Sequence, residues 1–220
     1  MKNNLISKTF LWMCFGLLVT FATGYLTSTS EVMLENIFLN SWTYIILIIV
    51  ELVLVIVLSA RVMKMKPATA KVCFLLYSFV SGLTFASIFV VFEVSSIILV
   101  FLVTAVFFAL LSLIGYVTKI DLTKVGVYLL FGLLAVVIVS LINIFIGSST
   151  LELILSIIII AIFIGYTIYD VQRIKYLENS GLPEDNLAIY GALELYLDFI
   201  NLFLRLLQIF GRSDDWWIQV

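Results

Sequence analysis

Apolar residues run in seven long stretches, roughly 9–27, 42–60, 72–92, 95–116, 125–146, 151–170 and 188–210, with short polar connections between them. Each is close to the 17–25 or so residues that a helix needs to cross a bilayer. The pattern predicts an all-α polytopic membrane protein of seven transmembrane helices. The short connections leave room for a single domain over 1–220 and nothing more. Pro67 and Pro183, the only two prolines, fall in predicted loops, so no helix is kinked by proline. The first stretch follows Lys2 and Lys8, as the apolar core of a signal peptide would, but it is about 18 residues long and lacks an A-x-A exit. It is read as a helix.

Composition agrees with the pattern and removes several function classes. Hydrophobic residues make up 64% of the chain and charged residues 12%, with a mean hydropathy of +1.24; a soluble domain would need more polar surface. The net charge of −2 and the absence of a basic patch interleaved with aromatics argue against a nucleic-acid partner. There is no histidine, which removes the commonest general base and most zinc and haem sites. Cys14 and Cys73 both sit in apolar segments and read as small core residues, not as a disulfide.

The loop charges predict an orientation. Lys2, Lys8, Arg61, Lys64, Lys66, Lys71, Lys119, Lys124, Arg173 and Lys175 fall on one side. Glu31, Glu35, Glu93, Glu152, Asp214 and Asp215 fall on the other, with Arg212. Positive charge marks the cytoplasmic side, so the N-terminus is expected inside and the C-terminus outside. The outer acids are read first as the ordinary avoidance of positive charge by translocated loops, and second as a negative mouth for cations.

The seventh stretch carries an unusual line. In "LELYLDFINLFLRLLQ", Glu194, Asp198, Asn201, Arg205 and Gln208 follow at steps of four, three, four and three. At about 100° per residue they share a face about 80° wide. Ionisable groups at membrane depth are costly and face a bundle interior or a water-filled path. Glu51, Asp170, Asp198 and Arg205 are four such groups. Glu51 lies about 13 Å from the outer end of its helix and Arg205 about 8 Å, which suits an inter-helix Glu51–Arg205 pair. Asp170 and Asp198 lie on antiparallel neighbours, and their carboxylates meet if the sixth helix continues through "YDVQRIKYL". Two close carboxylates would share a proton. Otherwise Asp170 is a helix-end carboxylate in water beside Arg173. Asn201 and Gln208 read as inter-helix hydrogen bonders. Glu194 reads as an entrance for cations or a wet helix end. Small residues in "GLLVTFATG" and "SGLTFAS" predict close helix packing, and those of "SGLTFAS" offer hydroxyls for cross-helix bonds.

These residues also carry a resemblance. Three blocks, "SGLTFASIFVVF" with "TAVFFALLSLIGYVTKIDLTKVG", "GYTIYDVQRIK" and "YGALELYLDFINLFLRLLQIFG", resemble the transmembrane Bax inhibitor motif family along nearly the whole chain. The resemblance implies a C-terminal helix central in a ring of six. It implies a pH-sensitive calcium leak, in which Asp170 and Asp198 form the sensor and Arg61, in "LSARVMKMKP", is a latch on Asp170. Glu51 and Arg205 carry over as the pore or inter-helix ion pair, and Glu194 and Asn201 as candidate pore-lining residues. Animal members that restrain cell death have a charge-rich cytoplasmic tail. Here "GRSDDWWIQV" is short and acidic, and no anti-apoptotic role is expected.

The leading expectation is therefore a calcium leak of a bacterial inner membrane. Its partners are lipid, calcium ions and protons, with no resident cofactor. Glu51 and Asp198 would offer oxygen ligands to calcium in transit. A proton-coupled calcium exchanger and a non-transporting regulator of a membrane protease or other complex are the alternatives. Enzymatic activity is not expected. Paired membrane aspartates, one after Tyr169, also occur in intramembrane aspartyl proteases, but those need "GxGD" and "PAL" motifs where this chain has "LYLD" and no C-terminal proline.

Overall fold

The computed structural model describes residues 4–39 and 41–212. Lys2, Asp214 and Asp215, counted above in the charge asymmetry, lie outside the described residues. Seven helices are long and apolar enough to span a membrane: α1 (Asn4–Ser28), α2 (Ser41–Arg61), α3 (Pro67–Val91), α4 (Val94–Val117), α5 (Thr123–Ile146), α6 (Ser149–Leu177) and α7 (Glu184–Phe210). No strand occurs among the described residues. The α1–α2 connection holds a short helix, Glu31–Leu34, and a π-helical turn, Glu35–Leu39.

The helices outrun their apolar stretches at particular ends. α1 starts at Asn4, α3 at Pro67 and α7 at Glu184, and α6 runs on to Leu177. Hydropathy marks where lipid is tolerated, but protein contacts carry a helix further. Lys8 pairs with Glu184 at 2.8 Å, and Lys71 with Asp185 at 2.8 Å. Lys71 also lies over the Trp12 ring, 5.7 Å from its centroid. The starts of α1, α3 and α7 thus meet on one side, as alternation along the chain requires. Pro67 sits in the first turn of α3, where its missing N–H costs no helix bond.

The chain divides into two compact units. The first contains α1, α2, α3 and the N-terminal half of α7; the second contains α4, α5, α6 and the C-terminal half of α7, from Leu197. In the most apolar stretch of α7, 72% of residues are buried, against 11–50% for the other six helices. That burial is why a helix bearing Glu194, Asp198 and Arg205 is tolerable.

Glycines set the seams inside each unit, as "GLLVTFATG" and "SGLTFAS" predicted. A Cβ on Gly82 of α3 would lie 2.7 Å from the Thr20 carbonyl oxygen and 2.6 Å from the Thr23 Cβ of α1. A Cβ on Gly16 of α1 would lie 2.6 Å from the Phe74 ring. In the second unit a Cβ on Gly115 of α4 would stand 2.5 Å from the Ile168 carbonyl oxygen of α6. Close backbone approach of this kind is how membrane helices gain packing where lipid gives no hydrophobic drive. Aromatic edges fill the rest: Phe21 against Phe85 in the first unit, and Phe101 and Phe108 against Phe199 in the second.

Candidate functional site

The second unit holds the carboxylates. Asp170 and Asp198 are each 3% exposed, and among the described residues they are the only Asp, Glu, Lys or Arg side chains buried to this degree. Asp170 is therefore no helix-end carboxylate in water. α6 continues seven residues beyond it and keeps it inside.

That continuation is built by side chains reaching backwards. Gln172, 3% exposed, donates from Nε2 to the carbonyls of Thr118 (3.3 Å) and Ile120 (2.8 Å). Its Oε1 accepts from the N–H of Leu122 at 3.1 Å. One buried amide thus satisfies three backbone groups of the α4–α5 connection. Lys175 donates to the Tyr116 carbonyl at 2.7 Å and lies over the Tyr116 ring, 4.9 Å from its centroid. Tyr169 seats its ring against Gly126 of α5, where a Cβ would come within 2.5 Å. Tyr169 and Gln172 on either side of Asp170 are thereby fixed, while Arg173 of "YDVQRIK" is exposed.

Along α7 the polar line is most buried at Asp198 and most exposed at Gln208. Asp198 is buried, Glu194, Asn201 and Arg205 are half-buried and Gln208 is exposed. Phe199 and Phe203 beside Asp198 pack against Phe101 at 5.2 and 6.0 Å between ring centroids. Gln208 does bond between helices. It donates to Glu152 of α6, and its Oε1 accepts from Ser156 of α6 at 3.1 Å and from Arg205 at 2.8 Å. Asn201 differs from expectation: its amide donates to the Leu197 carbonyl at 2.8 Å, one turn back on its own helix. A carbonyl four residues earlier is within easy reach of a short amide, and the bond holds the side chain along α7.

Arg205 and Glu152 also line a recess of about 420 Å³ with Ser140, Asn143 and Ser149. The α5–α6 turn shapes it. Gly147 closes α5 in the left-handed region at φ +67°. The Ser148 hydroxyl then accepts from the Leu151 N–H at 3.3 Å and opens α6.

In the first unit, Glu51 is half-buried and its Oε2 accepts from the Thr84 hydroxyl at 2.9 Å. Arg61 is exposed at the end of α2 and lines a recess of about 420 Å³ with Ala60, Lys64 and Met65. The turn that follows is held by Asn186, 1% exposed, which donates to the carbonyls of Val62 (2.5 Å) and Met65 (2.9 Å). Sequence reasoning pointed to hydroxyls for cross-helix bonds only in "SGLTFAS" and missed four others buried here: Thr20, Ser78, Tyr77 and Tyr196. Thr20 donates to the Ser78 carbonyl at 2.9 Å and meets the Tyr196 hydroxyl at 2.6 Å. The signal for Thr20 was present in "GLLVTFATG", where it accompanies the small residues. Among the described residues, no three or more His, Cys, Asp or Glu side chains converge as metal ligands.

Comparison with known proteins identifies the family of this helical membrane protein. The family profile described as "Inhibitor of apoptosis-promoting Bax1" matches residues 2–215. The chain belongs to the Bax inhibitor family. Inner membrane protein YbhL of Escherichia coli is 42% identical over 212 residues, covering 94% of this chain and 91% of that protein. An uncharacterized protein of Borreliella burgdorferi is 40% identical over 215 residues, 96% of this chain and 93% of its own length. An uncharacterized membrane protein of Streptococcus pyogenes is 42% identical over 168 residues, 76% of this chain and 73% of its own. The protein is thus an integral, multi-pass membrane protein of the Bax inhibitor family.

Proposed function

We propose that this protein is a passive, pH-sensitive calcium leak of the bacterial inner membrane, with Asp170 and Asp198 as its proton-sharing sensor and no enzymatic activity. The observation that supports it most is the equal and near-complete burial of these two carboxylates within one unit. Two ionised carboxylates at this depth would each carry a large desolvation cost and would repel each other. Holding one proton between them removes most of both penalties, and the pair then titrates as a coupled unit.

Each carboxylate sits on a different support. α6 is anchored around Asp170 by Gln172, Lys175 and Tyr169. Asp198 sits on α7 beside Phe199, whose ring packs edge-on against Phe101 and Phe108. In this reading a change of charge on the pair shifts α7 between a closed and an open packing. Arg61 is the latch in this reading, in the role that the family resemblance gives it. N-terminus inside and C-terminus outside is the orientation proposed, from the loop charges. Calcium prefers several oxygen ligands, and sparse oxygens such as those of Glu51 and Asp198 favour transit over storage.

The test is calcium flux into proteoliposomes across pH. The wild type is expected to show flux that changes with pH, and Asp170→Asn and Asp198→Asn to show flux that no longer does. Flux that ignores pH in the wild type, or a pH response unchanged in both variants, refutes the sensor. Calcium accumulation uphill, driven by a proton gradient, refutes the passive leak in favour of an exchanger.

A further inference from the structure

We propose that the recess lined by Arg205 and Glu152 binds the headgroup of a phospholipid that carries both a phosphate and a primary ammonium. The inference stands on the second unit alone and does not depend on the calcium reading.

The recess has two charged ends that are held apart. Its volume is about 420 Å³, within the range of small-molecule sites. Arg205 and Glu152 on its wall carry opposite charges, yet they form no direct ion pair. Gln208 stands between them. Its Oε1 accepts from Arg205 at 2.8 Å, and its Nε2 donates to Glu152. The Ser156 hydroxyl, on a residue 1% exposed, also donates to Gln208 Oε1 at 3.1 Å and ties the amide to α6. The spacer is therefore fixed. Of the five N–H groups of the guanidinium, one is spent on Gln208 and four make no bond to the described residues. Glu152 likewise keeps Oε2. The opposite wall is rigid, because Asn143 spends both ends of its amide on Ser148, at 3.2 Å each.

This arrangement selects its ligand. A phosphate alone suits Arg205 but meets the Glu152 carboxylate. A cation alone suits Glu152 but meets Arg205. A ligand with both charges satisfies both ends: the phosphate takes paired N–H bonds from the planar guanidinium, and the ammonium donates to Glu152. A quaternary ammonium has no N–H to give. The setting selects a lipid over a free zwitterion. Arg205 lies five residues before the end of α7 at Phe210, about 8 Å along the axis, which puts a phosphate at the edge of the apolar layer. Ile144 on the wall is 74% exposed and Phe145 beside it 91%. They stand on a spanning helix, where acyl chains lie against them.

Native mass spectrometry of the full chain in detergent reads the affinity of the first bound molecule. The probes are phosphatidylethanolamine, phosphatidylcholine and phosphatidylglycerol with the same acyl chains, and soluble phosphoethanolamine. Phosphatidylethanolamine is expected to bind tightest, about tenfold over phosphatidylcholine, the worth of one charge-assisted hydrogen bond. Glu152→Gln should bring it level with phosphatidylcholine, and Arg205→Gln should weaken both about tenfold. Ser149→Trp, at an exposed position on the wall, should fill the recess and abolish the preference without touching the Arg205–Gln208–Glu152 link. It keeps the test decisive if a charge variant does not fold. The proposal is overturned if the wild type shows no preference for phosphatidylethanolamine over phosphatidylcholine, or if the preference survives Glu152→Gln or Ser149→Trp. Tightest binding of phosphatidylglycerol would make the recess a simple anion site and overturn it too. Phosphoethanolamine binding as tightly as the lipid would assign a soluble zwitterion in its place.

Discussion

The first unit buries its polarity as neutral groups: Thr20 bonded to the Ser78 carbonyl and the Tyr196 hydroxyl, and Asn186 on two carbonyls. Its acids well inside the helices, Glu51 and Glu194, are only half-buried, and Glu51 has a hydroxyl partner. The second unit buries neutral groups too, Thr104, Thr167 and Gln172 among them, but adds two carboxylates at 3% exposure. Hydroxyls can be satisfied once and left alone, whereas a carboxylate at depth must answer to pH. The difference separates a structural use of polarity from a responsive one within a single chain.

Substitutions can break this contrast or sharpen it. The largest effect is expected where both units depend on the same device, backbone approach at glycine. Gly115→Ala and Gly82→Ala each push a Cβ onto a carbonyl oxygen, and each is expected to cost about 3 kcal/mol, read as lowered thermal stability in lipid. Gly132→Ala, whose Cβ would find Ile162 at 3.5 Å, is the control and should be near neutral. Next comes Gln172→Leu. It leaves Thr118, Ile120 and Leu122 without their partner and is expected to cost about 2–3 kcal/mol, with faster amide exchange in the α4–α5 connection. Tyr196→Phe is milder, at about 1 kcal/mol, because Thr20 keeps its bond to the Ser78 carbonyl. If it proved as costly as Gln172→Leu, the Tyr196–Thr20 contact would be more than a local arrangement.

The smallest effect belongs to Asp121, on the α4–α5 connection outside the spans. Its carboxylate accepts from the Thr123 hydroxyl (2.6 Å) and the Thr123 N–H (2.9 Å), which holds its pKa below the usual carboxylate value. A lowered folded-state pKa means stability that is present above the unfolded pKa and lost as pH falls through the folded one. Asp121→Asn should therefore lower stability slightly at neutral pH and not at all in strong acid. An equal loss at both pH values would contradict the assignment.

Much of this was legible in the sequence, and the gaps have physical causes. All seven long helices follow from apolar run length alone, since lipid exposure leaves its mark on every turn. The end of α6 did not follow. Asp170, Arg173 and Lys175 interrupt the hydropathy, while the contacts that extend the helix, Gln172 and Lys175 on distant carbonyls, exist only in three dimensions. For the same reason the burial of Asp170 was undecided until the helix was seen to continue. The stripe on α7 was plain from its spacing, but the partner of Gln208 was not: Glu152 had been counted only among outer acids. The Ser81 and Thr84 hydroxyls were visible in "SGLTFAS", but the bond from Thr84 to Glu51 was not, because hydroxyl direction is set by a neighbouring helix.

The central claim is that Asp170 and Asp198 titrate as one coupled pair. It is tested most directly by labelling aspartate with carbon-13 at the side-chain carboxyl and following the protonation of these two groups with pH in the wild type, Asp170→Asn and Asp198→Asn. The account predicts two separated steps in the wild type, which collapse in each variant to a single step at a pH shared with neither. Independent titration, in which the remaining aspartate behaves the same with or without its neighbour, would contradict it.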